Sequence, residues 1–440
     1  MRRKQKGFQT RWTGYQPAFL KTISKEGMHM VTKAEIRKPE DEKTAGTVRT
    51  KNMGLRGVTV ADTRVSFIDG ENGVLIYRGY LIEELAVQST FEETAYLLLH
   101  DALPTESQLK EFTRRLVEAR QVPDFLFESF KKLPKEAKPM DVLQASVPLL
   151  AMADPDLPDE TREANVNKAI RLIARIPIVA AGWHRIRQGR EPLRSDDRLS
   201  HAGNFLWLLT GIRPDPETAR DLDTCLVLHA DHTFNASTFA AREVVSTRAH
   251  MYAGAAAAVG ALSGSLHGGA NAEVMKMLKE VENEKDIPGW VRKQLDSGRK
   301  IMGMGHAVYK TTDPRAKFLK EMSERLGKKL GQEKWYRLST RIEDAAVSEF
   351  EKRGKTTIKP NVDFYSASVY HLMGIPGDLM TPVFAVSRIA GWTAHIIEEK
   401  FAEAQEKPAL YRPASEYVGH YCGRMGCTYV PVQQRTRDAA

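Results

Sequence analysis

Residues 252–271 read YAGAAAAVGALSGSLHGGAN. On an exposed helix Gly254, Gly260 and Gly264 would each cost about 1 kcal/mol relative to alanine. Such a run makes sense where helices must approach closely, so it predicts a helical interior or a subunit interface. The pattern changes at His267-Gly268-Gly269, where a hinge fits. A second hinge fits GIPGD, Gly374 to Asp378.

Outward from this stretch the period is helical almost everywhere. TFEE at Thr90–Glu93 and TESQ at Thr105–Gln108 read as capping boxes, the second ahead of Leu109, Phe112, Leu116 and Val117. Asp313-Pro314 reads as a cap and first-turn proline before Phe318, Met322, Leu326 and Leu330, with Gly331 closing the segment. Only GVTVADTRVSFIDGENGVLIYRGY, Gly57 to Tyr80, alternates over short spans, with Asp69-Gly70 and Asn72-Gly73 as turns, which predicts one or two small hairpins. The expectation is a mainly α protein with a short N-terminal β-hairpin region.

At 440 residues, 42% of them hydrophobic and 28% charged, the chain has the make-up of a globular protein with a large core. No run of 18 apolar residues occurs, so no membrane span is expected. The formal charge of +9 would suggest nucleic acid, but residues 1–51 alone carry +8 and the remainder is nearly neutral. The first 25 residues hold seven basic groups, no acid, and Trp12, Tyr15 and Phe19. They read as a disordered basic arm, as sequence upstream of a start at Met28 or Met30, or as a transit peptide poor in serine. Three cysteines, Cys225, Cys422 and Cys427, build no disulfide framework and fit a reducing compartment. Cys422, Cys427 and His420 lack a fourth ligand, so no metal site is expected.

Several segments leave a polar residue in an awkward place. In LHADHTFNAST, His229 and His232 stand at i, i+3 around Asp231, as a hydrogen-bonded pair or part of a metal site. His267 has only small neighbours, which suits either a satisfied helix-end histidine or close approach of a substrate. His306, in GMGHAVYK, lies on a glycine loop, and from Arg299 to Lys317 there are five cations (Arg299, Lys300, Lys310, Arg315, Lys317) against one acid, Asp313. That is a solvated basic loop or the site of a phosphorylated or carboxylated ligand. Asp363 is the sole formal charge in PNVDFYSASVYHLMGIPG, as an N-cap or as a general base with a raised pKa. Arg388 is likewise alone in PVFAVSRIAGWTAHII and must find either a distant acid or a ligand carboxylate.

Taken in chain order, GVLIYRGYLIEELA, LHADHTFNAST, SLHGGAN, GMGHAVYKTTDPR, PNVDFYS, FAVSRIAGWTAHIIEE and YRPASEYVG resemble the blocks of the citrate synthase family, from about Gly57 to Gly419. The layout resembles the shorter prokaryotic, dimeric branch. The resemblance implies a nearly all-α fold with a large domain, residues 52–268 and 377–440, and a smaller helical domain, residues 269–376, that closes over the substrates. It implies condensation of acetyl-CoA with oxaloacetate and hydrolysis to citrate and free coenzyme A, without metal or other cofactor, in a cytoplasmic homodimer. On the matching positions, Asp363 would be the base, His267 would steady the enol and His306 would polarise the ketone. His232, Arg315 and Arg388 would bind oxaloacetate, Arg412 of YRPA would reach the partner subunit's substrate, and Lys310 would meet coenzyme A. The family's usual GFGHRVY reads GMGHAVY here, which bears on coenzyme contact rather than on the chemistry. Two rivals stand beside this reading: 2-methylcitrate synthesis from propionyl-CoA by the same groups, and non-catalytic binding of nucleic acid or anionic membrane through the basic arm.

Overall fold

The computed structural model describes residues 54–55, 57–419 and 426–435. The basic arm, His420 and Cys422 lie outside them. The chain divides into two units, Met1–Thr59 and Val60–Ala440. Of the first, the described residues form a turn in which Val58 N–H donates to Leu55 C=O at 3.1 Å.

In the second unit, a three-stranded antiparallel sheet precedes sixteen α-helices among the described residues. Strands Ser66–Asp69 and Val74–Tyr77 pair with Ser66 opposite Tyr77 and Asp69 opposite Val74, and Tyr80–Leu81 adds a short edge. The turn closes because the Asp69 carboxylate accepts from Glu71 N–H (3.0 Å), Asn72 N–H (3.1 Å) and Asn72 Nδ2 (2.7 Å). Gly70 C=O then accepts from the backbone N–H of Lys310 at 2.9 Å. The sheet is also tied to distant chain. Arg64 N–H donates to Glu398 Oε1 at 2.7 Å, and Ser66 Oγ donates to the buried Asp231 carboxylate.

The core is organised around helix Met380–Phe401, buried over nearly its whole length. A helix apolar on all sides must be surrounded, and it packs on Arg162–Arg187, Ala236–Ser246, Met251–Leu262, Phe91–His100 and Pro216–His229. The small-residue stretch forms Met251–Leu262, capped by His250. A Cβ on Gly254 would fall 2.7 Å from Val245 Cγ1 and 3.2 Å from Ile396 Cδ1, so this glycine lets three helices meet closely. The opposite face, with Ala253, Ala256 and Gly260, is only partly buried, and Leu266 beyond it is 96% exposed. Five helices between Ala270 and Leu372 pack on one another, and the first of them, Ala270–Glu280, also meets Met380–Phe401. Arg325 and Lys329, on Ala316–Leu330, reach across to Asp215, Glu217 and Asp221 at the start of Pro216–His229.

Thr105 and Gln108 make the expected capping box, whereas at Thr90 only the half that accepts from Glu93 N–H is formed. Asp313 departs from expectation. Helix Ala316–Leu330 has no side-chain cap, because the buried Asp313 carboxylate is spent on Arg315. A charge-assisted pair in the interior outweighs a cap. Cys225 is a buried free thiol. No helix among the described residues is long and apolar enough to cross a membrane.

Candidate active site

Asn235 caps helix Ala236–Ser246 by accepting from Ser237 N–H and Thr238 N–H, and the first turn so fixed holds His267. Ser237 N–H donates to His267 Nε2 at 3.2 Å, with Ser237 Oγ at 2.8 Å from the same nitrogen and steadied by Trp392 Nε1 at 3.1 Å. A backbone N–H can only donate, so Nε2 is bare and the neutral ring carries its proton on Nδ1. Burial, helped by the field of Arg388, pushes the His267 pKa down to about 4. At neutral pH this group is a fixed neutral donor.

His306 has the opposite tautomer. Its Nδ1 accepts from Val308 N–H (3.0 Å) and Tyr309 N–H (3.2 Å), which leaves the proton on Nε2. The loop turns tightly enough for this because Gly303 and Gly305 sit at φ 78° and 83°. Burial, then the charge on Arg315, lower the His306 pKa to about 4. The His232 ring lies 5.2 Å from that of His306, and its Nε2 is 3.2 Å from Tyr309 Oη. Burial holds His232 well below the usual range, and the fields of Arg315, His306, Arg388 and His267 act in the same direction.

The backbone segment before Asp363 runs against the His306 loop. Gly305 N–H donates to Lys359 C=O (2.8 Å) and Asn361 N–H to Gly303 C=O (2.9 Å). Asn361, not Asp363, caps helix Val362–Leu372, accepting from Asp363 N–H at 2.9 Å. The Asp363 carboxylate makes no hydrogen bond among the described residues. Burial raises its pKa to about 7, with Arg315 and Arg388 opposing the rise and Asp313 adding to it.

Two buried guanidiniums act on this carboxyl group through their charge. Arg315 is gripped by Asp313, Nε to Oδ1 at 2.9 Å and Nη2 to Oδ2 at 2.7 Å. Arg388 Nε donates to His229 C=O at 2.6 Å, and its other two nitrogens have no hydrogen bond among the described residues. His229 serves the scaffold here, with Nδ1 2.6 Å from Cys225 C=O. A desolvated guanidinium without a carboxylate is costly, and its free N–H groups are strong donors to a ligand's carboxylate.

His232, His267, His306, Arg315, Asp363 and Arg388 therefore share one electrostatic environment. Arg412 does not join them within the chain. It is exposed just after Tyr411, which donates from Oη to Glu399 (2.7 Å) and from N–H to Ser246 Oγ (3.2 Å). Lys310 is exposed and paired with Glu71. Sequence reasoning gave no role to Tyr309, Ser237 or Asn361, and read Asp313 only as a cap. The Asp-Pro-Arg spacing is the one local hint of the Asp313–Arg315 pair. No group of three or more potential metal ligands lies among the described residues.

Comparison with known proteins gives a consistent picture. A family model described as citrate synthase, C-terminal domain, matches residues 54–414. The chain is 44% identical over 387 residues to a citrate synthase of Haloferax volcanii (87% of this chain, 98% of the relative). It is 37% identical over 381 residues to a 2-methylcitrate synthase of Corynebacterium glutamicum (86% and 97%). The fold superposes on citrate synthase from Pyrobaculum aerophilum with TM-score 0.81 at 36% identity (91% and 100% covered). It superposes on a citrate synthase of Thermoplasma acidophilum, in ternary complex with carboxymethyl coenzyme A and oxaloacetate, with TM-score 0.79 at 34% identity (87% and 98% covered).

Proposed function

Since the chain belongs to the citrate synthase family of acyltransferases, we propose that it condenses acetyl-CoA with oxaloacetate and hydrolyses the citryl thioester to citrate and coenzyme A. The observation that carries this is Arg388, buried with two nitrogens unpaired among the described residues, in the same field as Arg315 and a carboxyl group whose pKa is raised to about 7. Such a site accepts a small dianion and has a base beside it.

Asp363 takes a proton from the thioester methyl group while His267 Nδ1–H donates to the carbonyl oxygen, where charge accumulates. One such donor is typically worth about 10²–10³ in rate. The resulting enol carbon attacks the ketone carbon of oxaloacetate, and His306 Nε2–H donates to the ketone oxygen as it becomes a hydroxyl. Arg315, Arg388 and His232 hold the two carboxylates and fix the ketone's orientation. Water then adds to the citryl thioester carbonyl and coenzyme A leaves as the thiol. These side chains supply the acid, base and electrostatic work, so we propose a reaction without metal or other cofactor.

Residues 269–376 are proposed to close as a small domain over the substrates, excluding water until the carbon–carbon bond has formed. Lys310 is the proposed coenzyme phosphate contact, and Glu71 competes for it. A cytoplasmic homodimer is the proposed assembly. The partly buried face of Met251–Leu262 and the exposed Leu266 support a second copy, and the exposed Arg412 would enter its site. Nucleic acid and membrane have no part in this reading.

The likeness to a 2-methylcitrate synthase favours propionyl-CoA as a second reading. One methylene discriminates by only about 1–3 kcal/mol, so the donor is decided by measurement. Free thiol release with oxaloacetate and each acyl-CoA in turn should give the higher kcat/KM for acetyl-CoA. A preference for propionyl-CoA replaces the first reading with the second, and no release with either removes both.

A further inference from the structure

His306 lies on a loop and Asp363 on the first turn of helix Val362–Leu372, and their mutual placement depends on what joins the two segments. Because its Nδ1 is bound to the backbone of Val308 and Tyr309, the His306 ring moves with its own loop. Asp363 moves with the first turn of its helix. Between them runs a short antiparallel bridge, Met304 opposite Pro360, with the two backbone hydrogen bonds described above. One side chain completes the junction. The Asn361 amide accepts at Oδ1 from Asp363 N–H (2.9 Å) and donates from Nδ2 to Gly305 C=O (2.8 Å). The two bonds settle the amide's orientation, since a backbone N–H only donates and a C=O only accepts.

An N-cap needs the acceptor alone, and serine, aspartate or threonine would supply it. The second bond is what an ordinary cap lacks, and it ends on the residue immediately before His306. Resting on the catalytic reading above, we infer that Asn361 is a positioning residue that sets the polarising His306 against the base Asp363. Both of its amide bonds go to backbone, so it acts through these two segments. Its effect is on the distance over which enol and ketone must meet, where an error of about 1 Å can cost on the order of 100-fold in rate.

Asn361→Ser keeps an oxygen for the cap but is too short to reach Gly305, and Asn361→Ala removes both bonds. For Asn361→Ser the expected result is a melting temperature close to that of the unaltered protein, little change in KM for oxaloacetate, and kcat lower by about 10- to 100-fold. The infrared ketone stretch of bound oxaloacetate, which reports polarisation by His306, should shift toward that of the free compound. Asn361→Ala should lose both stability and turnover. Unaltered kcat and ketone band in Asn361→Ser would overturn the inference. So would a kcat loss that follows thermal stability in both variants while the band stays in place, since that is the behaviour of a plain cap. If the unaltered protein neither releases thiol nor shifts the band, the catalytic reading itself fails and this inference goes with it.

Discussion

A carboxyl group whose pKa is raised to about 7 is a liability to the folded chain and suits the base proposed for the reaction. Asp363 titrates near 3.8 when unfolded and near 7 when folded, so between these values the folded state holds the extra proton. Stability falls as pH rises through that window. Asp363→Asn should therefore be more stable than the parent at pH 8, by on the order of 1–3 kcal/mol, with the gain fading toward pH 4, and should turn over orders of magnitude more slowly while still binding oxaloacetate. Calorimetry at two pH values and an activity assay check this. The same pKa predicts that kcat/KM rises with pH through about 7. No histidine step should appear above about pH 5, because His267 and His306 are already neutral there. Asp363 and Arg388 were legible in the sequence because each is the lone charge of an apolar run. Tyr309, Ser237 and Asn361 were not, because each acts through a partner 30 or more residues away or through a hydrogen bond with no sequence signature.

For secondary structure, the code was read well where it is local. The Thr105 box and the αL glycine at Gly331 follow from spacing alone. Asp313 misleads because its local pattern is that of a cap, while burial beside Arg315 sets a stronger demand. Thr105→Ala should cost about 1 kcal/mol of stability and leave kinetics unaltered, measured by denaturant unfolding beside the standard assay. The Met251–Leu262 helix makes the opposite prediction. A Cβ at Gly254 has no room between the neighbouring helices, so Gly254→Val should destabilise by about 1–3 kcal/mol through overpacking against Val245 and Ile396, despite valine's absence of any helix penalty relative to glycine.

Across the whole molecule, the helical class and the hairpin were apparent from periodicity, but not which distant pieces would meet. The cations of Ala316–Leu330 are one such meeting. Arg325 and Lys329 are partly exposed, and so are most of their partners near Pro216, so each pair contributes at most about 1 kcal/mol and is screened by salt. Arg325→Glu should lower stability at low ionic strength and much less at about 0.5 M salt, where such pairs are screened; an equal loss at both would mean packing, not charge, joins these helices. The ties of Arg64 to Glu398 and Ser66 to Asp231 have a consequence for biosynthesis. The first strand to leave the ribosome cannot complete its polar contacts until helix Met380–Phe401, over 300 residues later, has also emerged. The nascent chain must wait with that edge unpaired, contacts of such long range form slowly, and the enzyme gains its working centre only after translation is nearly over.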